Sequence, residues 1–259
     1  MNIVFVGLGS IGQRHLQNIQ KICENKNINF YSLKRSSNKK VIKNGKVLSK
    51  SDIINYYKIK LIYDVKEIIS VRPDIIIISN PSSLHLDTTL KLLKYSNNFF
   101  IEKPLGDDRK KITHLLEISQ EKRKYIFIGL QTRFHPMIKF LKKIIETKLH
   151  GEIITSKLEF LTYLPNHHKY EDYRNSYAAN KKLGGSAIAN LVHEVDLINY
   201  LFGHPNKILS FDKKTNILES DIKDYFSSKL IYKNKFDINL ALSMSEINEK
   251  RSILIKFQK

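Results

Sequence analysis

Ile3-Val4-Phe5-Val6-Gly7-Leu8-Gly9-Ser10-Ile11-Gly12 is the stretch on which the reading of this 259-residue chain turns. Four apolar residues, two of them β-branched at the start, suit a short strand buried on both faces. Glycines at positions 7, 9 and 12 follow at once and open a helical pattern from Ile11 to Ile22. Gly7 permits the tight turn, Gly9 lets a pyrophosphate approach the backbone, and Gly12 allows close helix–strand packing. The phosphate then sits at the helix N-terminus, where Ser10 and Ile11 stand. By itself the pattern is weak, and an ordinary glycine-rich turn is the alternative. Its place at the head of a strand–helix array points to a dinucleotide site.

That array continues outward. Asn29 to Leu33, Asp74 to Ser79, Phe99 to Ile101 and Tyr125 to Ile128 read as strands, with a helix over Leu84 to Leu93 and another before Tyr125. Such alternation predicts βαβ units and a doubly wound parallel sheet, a Rossmann-type domain over residues 1–130. The lysine- and asparagine-rich segment from Lys34 to Tyr57 is weakly periodic and is expected to be irregular or partly helical. Beyond residue 131 the pattern changes. Glu152 to Leu164 and Ser227 to Leu242 show the broken alternation of longer antiparallel strands. Between them Ala187 to Phe202 reads as one helix, stopped by Gly203 and Pro205. The expectation for 131–259 is an α+β domain with a mainly antiparallel open sheet and a single crossover-like helix.

Composition narrows the function classes. Hydrophobic residues make up 42% and charged residues 27%, which argues against wholesale disorder. One cysteine, Cys23, excludes a disulfide framework and a multi-cysteine zinc site, and no metal site is expected. No apolar run reaches the roughly 18 residues of a membrane span, and the N-terminus does not read as a signal peptide. A soluble cytoplasmic protein is the expectation. The formal charge of +19 could serve nucleic acid or an anionic membrane. The lysines are scattered along the chain, with no basic tail or arginine-rich block, so they read as generic surface and neither partner is expected.

About 20 residues beyond the glycines an NAD site should carry an acid for the ribose diol; here stand Lys34, Arg35 and Ser36. Two cations and a hydroxyl suit a 2′-phosphate, so NADP is favoured over NAD, the alternative being a solvated basic loop. Glu102-Lys103-Pro104 follows a strand directly, at the carboxyl edge where open parallel sheets place ligands. A lysine there can donate to a substrate hydroxyl and ease removal of its proton; a plain surface turn is the other reading. The loop Asn80-Pro81-Ser82-Ser83-Leu84-His85 follows the preceding strand and is expected to face the same cleft, with Asn80, Pro81, His85 and Glu102 among the cofactor-binding residues.

These landmarks, with Gly184-Gly185 ahead of a helix bearing His193, resemble the Gfo/Idh/MocA oxidoreductase family in kind and order. The resemblance implies a Rossmann domain followed by an α/β domain whose open sheet supports substrate binding and homo-oligomer contacts. By the same resemblance Lys103 corresponds to the family lysine and His193 to its acid/base histidine. Arg133-Phe134-His135-Pro136, Tyr163-Leu164-Pro165, Glu171-Asp172-Tyr173-Arg174 and Ser176-Tyr177-Ala178-Ala179 resemble more narrowly the branch linked to bacterial surface-sugar, nucleotide-sugar and nonulosonic acid biosynthesis. Arg133, Tyr173 and Arg174 are then candidate substrate-binding residues, arginine being suited to bidentate pairing with phosphate or carboxylate; simple packing of the tyrosine-rich loop is the alternative.

The mechanism so implied is hydride transfer between a sugar or nucleotide-sugar carbinol carbon and nicotinamide. His193 would exchange the hydroxyl proton, Lys103 would stabilise the alkoxide, and Asn190 would position the substrate. Asp196 is expected to anchor the helix. The chain departs from the family pattern at Asn190, where an aspartate is usual; at Ser186, where a third glycine is usual; and after Lys259, where further strands have no counterpart. Asn190 and His193, three residues apart, should share a helix face. The alternative function is therefore a dinucleotide-binding protein without turnover, and a sheet that stops early is expected to be less stable and to lose oligomer contacts.

Overall fold

Alternate residues of the first strand, β1 (Asn2–Val6), serve two cores. Ile3 and Phe5 pack with Leu8, Leu16, Phe30 and Ile77 on one face, while Val4 and Val6 pack with Ile76, Ile78, Leu92 and Ile101 on the other. This is how an unbroken apolar strand is satisfied: helices cover both sides of the sheet. The computed structural model describes residues 1–33, 40–43, 46–233 and 235–259. It divides into two units, Met1–Gly129 and Leu130–Lys259.

In the first unit β1 is followed by α1 (Ser10–Ile22), β2 (Asn29–Leu33), β3 (Lys40–Lys43), β4 (Lys46–Asp52), α2 (Ile53–Tyr57) and β5 (Lys60–Ile62). Then come α3 (Ile68–Val71), β6 (Ile75–Ile78), α4 (His85–Leu92), β7 (Asn98–Ile101), α5 (Arg109–Glu121) and β8 (Tyr125–Ile128). Six strands form one sheet in the order β5-β2-β1-β6-β7-β8, and every pair in it is parallel. The order reverses direction between β1 and β6, the switch point at which such sheets take ligands.

The segment expected to be irregular or partly helical contains, in its described part, the antiparallel hairpin β3–β4 and the short helix α2. Tertiary bonds make the hairpin. Gln13 of α1 donates to Lys40 O and accepts from Ile42 N, Gln17 donates to Ile42 O, and Val41 is fully buried.

The second unit runs α6 (Pro136–Glu146), β9 (Ile153–Tyr163), α7 (Ala187–Asn190), α8 (Val192–Phe202), β10 (Lys207–Lys213), β11 (Tyr225–Tyr232), β12 (Phe236–Ser243) and β13 (Ser245–Phe257). Its sheet has the order β10-β11-β12-β9-β13, antiparallel except where β12 meets β9. Leu158, Leu230, Ile238, Leu240 and Leu242 make the covered face, packed with Ala187, Leu191 and Ile198.

Two expectations for this unit are corrected. It holds a second long helix, α6, begun by Pro136 at its first position, where the missing N–H is no loss, and capped by His135 Nδ1, which accepts from Met137 N at 3.2 Å. The single helix over Ala187 to Phe202 is interrupted at Leu191 (φ −102°, ψ 26°), so Asn190 ends one helix and His193 stands near the start of the next. The apolar period runs through the break because Leu191 is itself buried.

Candidate active site

In the first unit the glycine turn has the shape the fingerprint requires. Gly7 has φ +99°, and a Cβ there would lie 2.6 Å from the backbone of Ser79 and Asn80. A Cβ on Gly12 would come within 2.3 Å of Gly7 O and 2.7 Å of Ser79 Oγ, the hydroxyl that donates to Gly7 O. At Gly9 a Cβ would meet nothing within 4 Å. Two glycines are thus demanded by the protein's own packing, and at the third the surface is left open. The N-terminus of α1 has no side-chain cap and no acidic residue in its first turn. Amides there lack intrahelical acceptors and sit at the positive end of the helix dipole. These residues fit the pyrophosphate of a dinucleotide.

The loops after β6 and β7 come next to this turn on one side in the sheet order and are tied to each other. His85, 2% exposed, places Nδ1 at 2.7 Å from Pro104 O and Nε2 at 2.8 Å from Asn80 O. Asn80 donates to Thr88 Oγ1 at 2.9 Å, and its Oδ1 is buried with no hydrogen-bond partner among the described residues. Glu102 is buried between His15 Nε2 at 2.6 Å and the Lys103 amide at 3.2 Å, and the Lys103–Pro104 peptide is cis. His85 and Glu102, expected to touch cofactor, therefore spend their polar atoms on the protein and shape the loops that carry Asn80 and Lys103. His15 was not among the expected site residues; its spacing of three from Gly12 on the same helix was the available signal. Lys34, Arg35 and Ser36 lie outside the described residues.

In the second unit His193 lies in the first turn of α8 and is 9% exposed. Two guanidinium–carboxylate pairs fix that helix. Arg251 Nε of β13 donates to buried Glu194 at 2.6 Å while stacking over Phe160. Arg133 grips Asp196 with both Nε, at 2.8 Å, and Nη2, and this pairing raises the Arg133 pKa. Asp196 is thus an anchor, as expected, and Arg133 is its partner. Asn190 donates through Nδ2 to Ala178 O at 3.0 Å and Met244 Sδ at 3.1 Å. An aspartate here would set two acceptors against each other, so the amide is what this packing needs. Gly185 cannot carry a side chain, since its Cβ would lie 2.5 Å from Ala178 O. Ser186 caps α7, accepting from Ala189 N.

Tyr173 and Arg174 join the loop before α7 to the segment before β11. Tyr173 Oη accepts from Glu219 N, and Arg174 is held by Asp172 and by Glu219 at 2.9 Å. The guanidinium holds the Asp172 carboxyl below its ordinary range. Among the described residues no cluster of metal-ligating side chains occurs, and no helix is long and apolar enough to cross a membrane.

Comparison with known proteins is consistent with this geometry. Over its full length the chain superposes on two WlbA dehydrogenases solved with NADH and UDP-GlcNAcA. For the Chromobacterium violaceum enzyme the TM-score is 0.81 at 17% identity, covering 72% of that chain. For the Bordetella pertussis enzyme it is 0.81 at 16%, covering 77%. An inositol 2-dehydrogenase of Corynebacterium glutamicum is 25% identical over 156 residues, 58% of this chain and 42% of the relative. The chain spans about a third to a half of the length of other curated relatives it matches. Residues 1–130 match the oxidoreductase family with NAD-binding Rossmann fold, and residues 138–257 match the Gfo/Idh/MocA C-terminal domain. The chain belongs to the Gfo/Idh/MocA oxidoreductase family.

Proposed function

We propose that this chain is a nicotinamide-dependent oxidoreductase acting on a carbinol or carbonyl carbon of a sugar or nucleotide sugar. The observation that carries the reading is the empty space over Gly9 beside an uncapped helix N-terminus. The nicotinamide ring, when bound, supplies or accepts the hydride. Lys103, at the carboxyl edge of the sheet, donates to the substrate oxygen and stabilises it as an alkoxide; His193, on a helix locked by two ion pairs, takes and returns the hydroxyl proton. Bound nucleotide sugar in the WlbA structures supports that substrate class, and the resemblance of the Arg133–Pro136 and Tyr163–Gly185 motifs to the surface-sugar branch supports a role in surface-sugar or amino-sugar biosynthesis.

Full-length protein incubated with polyols, sugars and nucleotide sugars is expected to change the absorbance of reduced nicotinamide with at least one of them. Silence across the three classes in both directions would defeat the proposal. Gly9→Ala separates binding from folding: with open space at that Cβ, thermal stability should stay within about 1 kcal/mol, the scale of an ordinary surface substitution. Dinucleotide affinity should fall at least about tenfold, because the methyl occupies the phosphate's place. Equal affinity in the variant would remove the turn from the cofactor site. We further propose NADP as the preferred cofactor, on the absence of an acid at Lys34-Arg35-Ser36. Calorimetric titration should show tighter binding of NADP(H) than NAD(H) and loss of that preference in Arg35→Ala; equal affinities for the two would defeat it.

A further inference from the structure

Glu102 touches two segments of the first unit with different oxygens. Oε1 lies 2.6 Å from His15 Nε2 on α1, and Oε2 accepts from the Lys103 backbone amide at 3.2 Å. The His15 ring meets Phe100 edge-on at 4.8 Å between centroids, which restricts its rotation. Glu102 is 8% exposed, and Gly129 leaves it room, since a Cβ there would come 3.1 Å from Oε1. A carboxylate so far removed from water needs hydrogen-bond donors. His15 and the Lys103 amide supply them. On the opposite side of the same segment His85 sits 2.7 Å from Pro104 O.

From this arrangement we infer that His15 is a positioning residue for Lys103, acting through Glu102. The helix whose N-terminus receives the dinucleotide phosphates thereby also sets the backbone from which the Lys103 side chain departs. The kinetic part of the inference rests on the proposed hydride transfer; the structural part stands on the first unit alone.

The test compares His15→Ala and His15→Gln in the full chain. His15→Ala should lower kcat on the order of tenfold to a hundredfold, the range for a misplaced reacting group, with dinucleotide Kd within about threefold of the parent. His15→Gln, whose amide N–H can still reach the carboxylate, should recover most of that loss. Independently of turnover, hydrogen exchange at the Lys103 amide should quicken about tenfold in His15→Ala and return toward the parent rate in His15→Gln. Parallel loss of kcat and dinucleotide affinity, or equal damage from both substitutions, would overturn the inference in favour of simple helix packing. If the parent protein turns over no sugar, the functional proposal fails, and the amide exchange still decides: unchanged exchange in His15→Ala overturns the positioning role, and faster exchange supports it. Should His15→Ala not fold, Glu102→Gln reads the same link, with kcat expected to fall several-fold at constant dinucleotide Kd; an unchanged kcat overturns it.

Discussion

Lys103→Ala is expected to lower turnover about a hundredfold or more while dinucleotide affinity stays within about threefold. A positioned proton-transfer or alkoxide-stabilising group contributes roughly two to four orders of magnitude, or about 2.7 kcal/mol of barrier at the lower end. The proposed dinucleotide turn does not depend on this side chain: the turn at Gly7 and Gly12 is closed by backbone and by Ser79 Oγ, and the loop after β6 is held by His85 and Thr88. Steady-state rates at saturating dinucleotide, together with binding followed by the fluorescence of the reduced nicotinamide, separate the two effects. Lys103→Arg should recover little, because a guanidinium fork does not reproduce a compact ammonium donor. A fully active alanine variant would take Lys103 out of the chemistry.

Arg251→Ala carries the largest expected effect on stability. Its partner Glu194 is 3% exposed, and removing one member of such a pair destabilises by about 3 kcal/mol, since the charge left behind is poorly solvated. Arg251 also covers Phe160, with its guanidinium carbon 4.7 Å from the ring centroid, so packing is lost as well. For a unit of this size the melting temperature should drop by roughly 10 °C. The surface pair Lys142–Glu146, at 3.1 Å with its glutamate exposed, is the control: Glu146→Ala should change stability by less than about 0.5 kcal/mol. Calorimetry on both variants distinguishes them. Equal melting temperatures for Arg251→Ala and the parent would mean that Glu194 finds water or another donor, and that α8 is held by its apolar contacts alone.

Legibility from sequence followed the range of the interactions. The runs Ile3–Val6 and Ile75–Ile78 and the glycine turn declare themselves within a few residues, and the parallel sheet follows from their alternation with helices. The hairpin β3–β4 could not be read locally, because its order comes from side chains of Gln13 and Gln17 on an earlier helix. The break at Leu191 was hidden by an apolar period that continues across it. What redirects the chain is distant: Ala187 N bonds to Lys223 O, and Asn190 reaches Ala178 O. Arg133 read as a ligand-gripping cation because its carboxylate, Asp196, stands 63 residues later. The start of α6 was legible in Pro136 and the apolar spacing of Ile138, Leu141 and Ile145, and was missed because histidine is an uncommon N-cap.

The position of β9 in the second sheet bears on the order in which the protein can be made. This strand lies between β12 and β13, and both neighbours are encoded far downstream: Thr155 bonds to Asp237, 82 residues later, and Ser156 to Leu254, 98 residues later. As the chain leaves the ribosome at roughly 5–20 residues per second, the first unit has all of its strands in hand by Ile128. β9 then waits several seconds with Leu158 and Phe160 bare and neither edge paired. A nascent strand in that condition is open to capture by another chain. Yield of the folded protein is therefore expected to depend on translation speed and chaperone supply across residues 153–257 as well as on the final stability of the sheet.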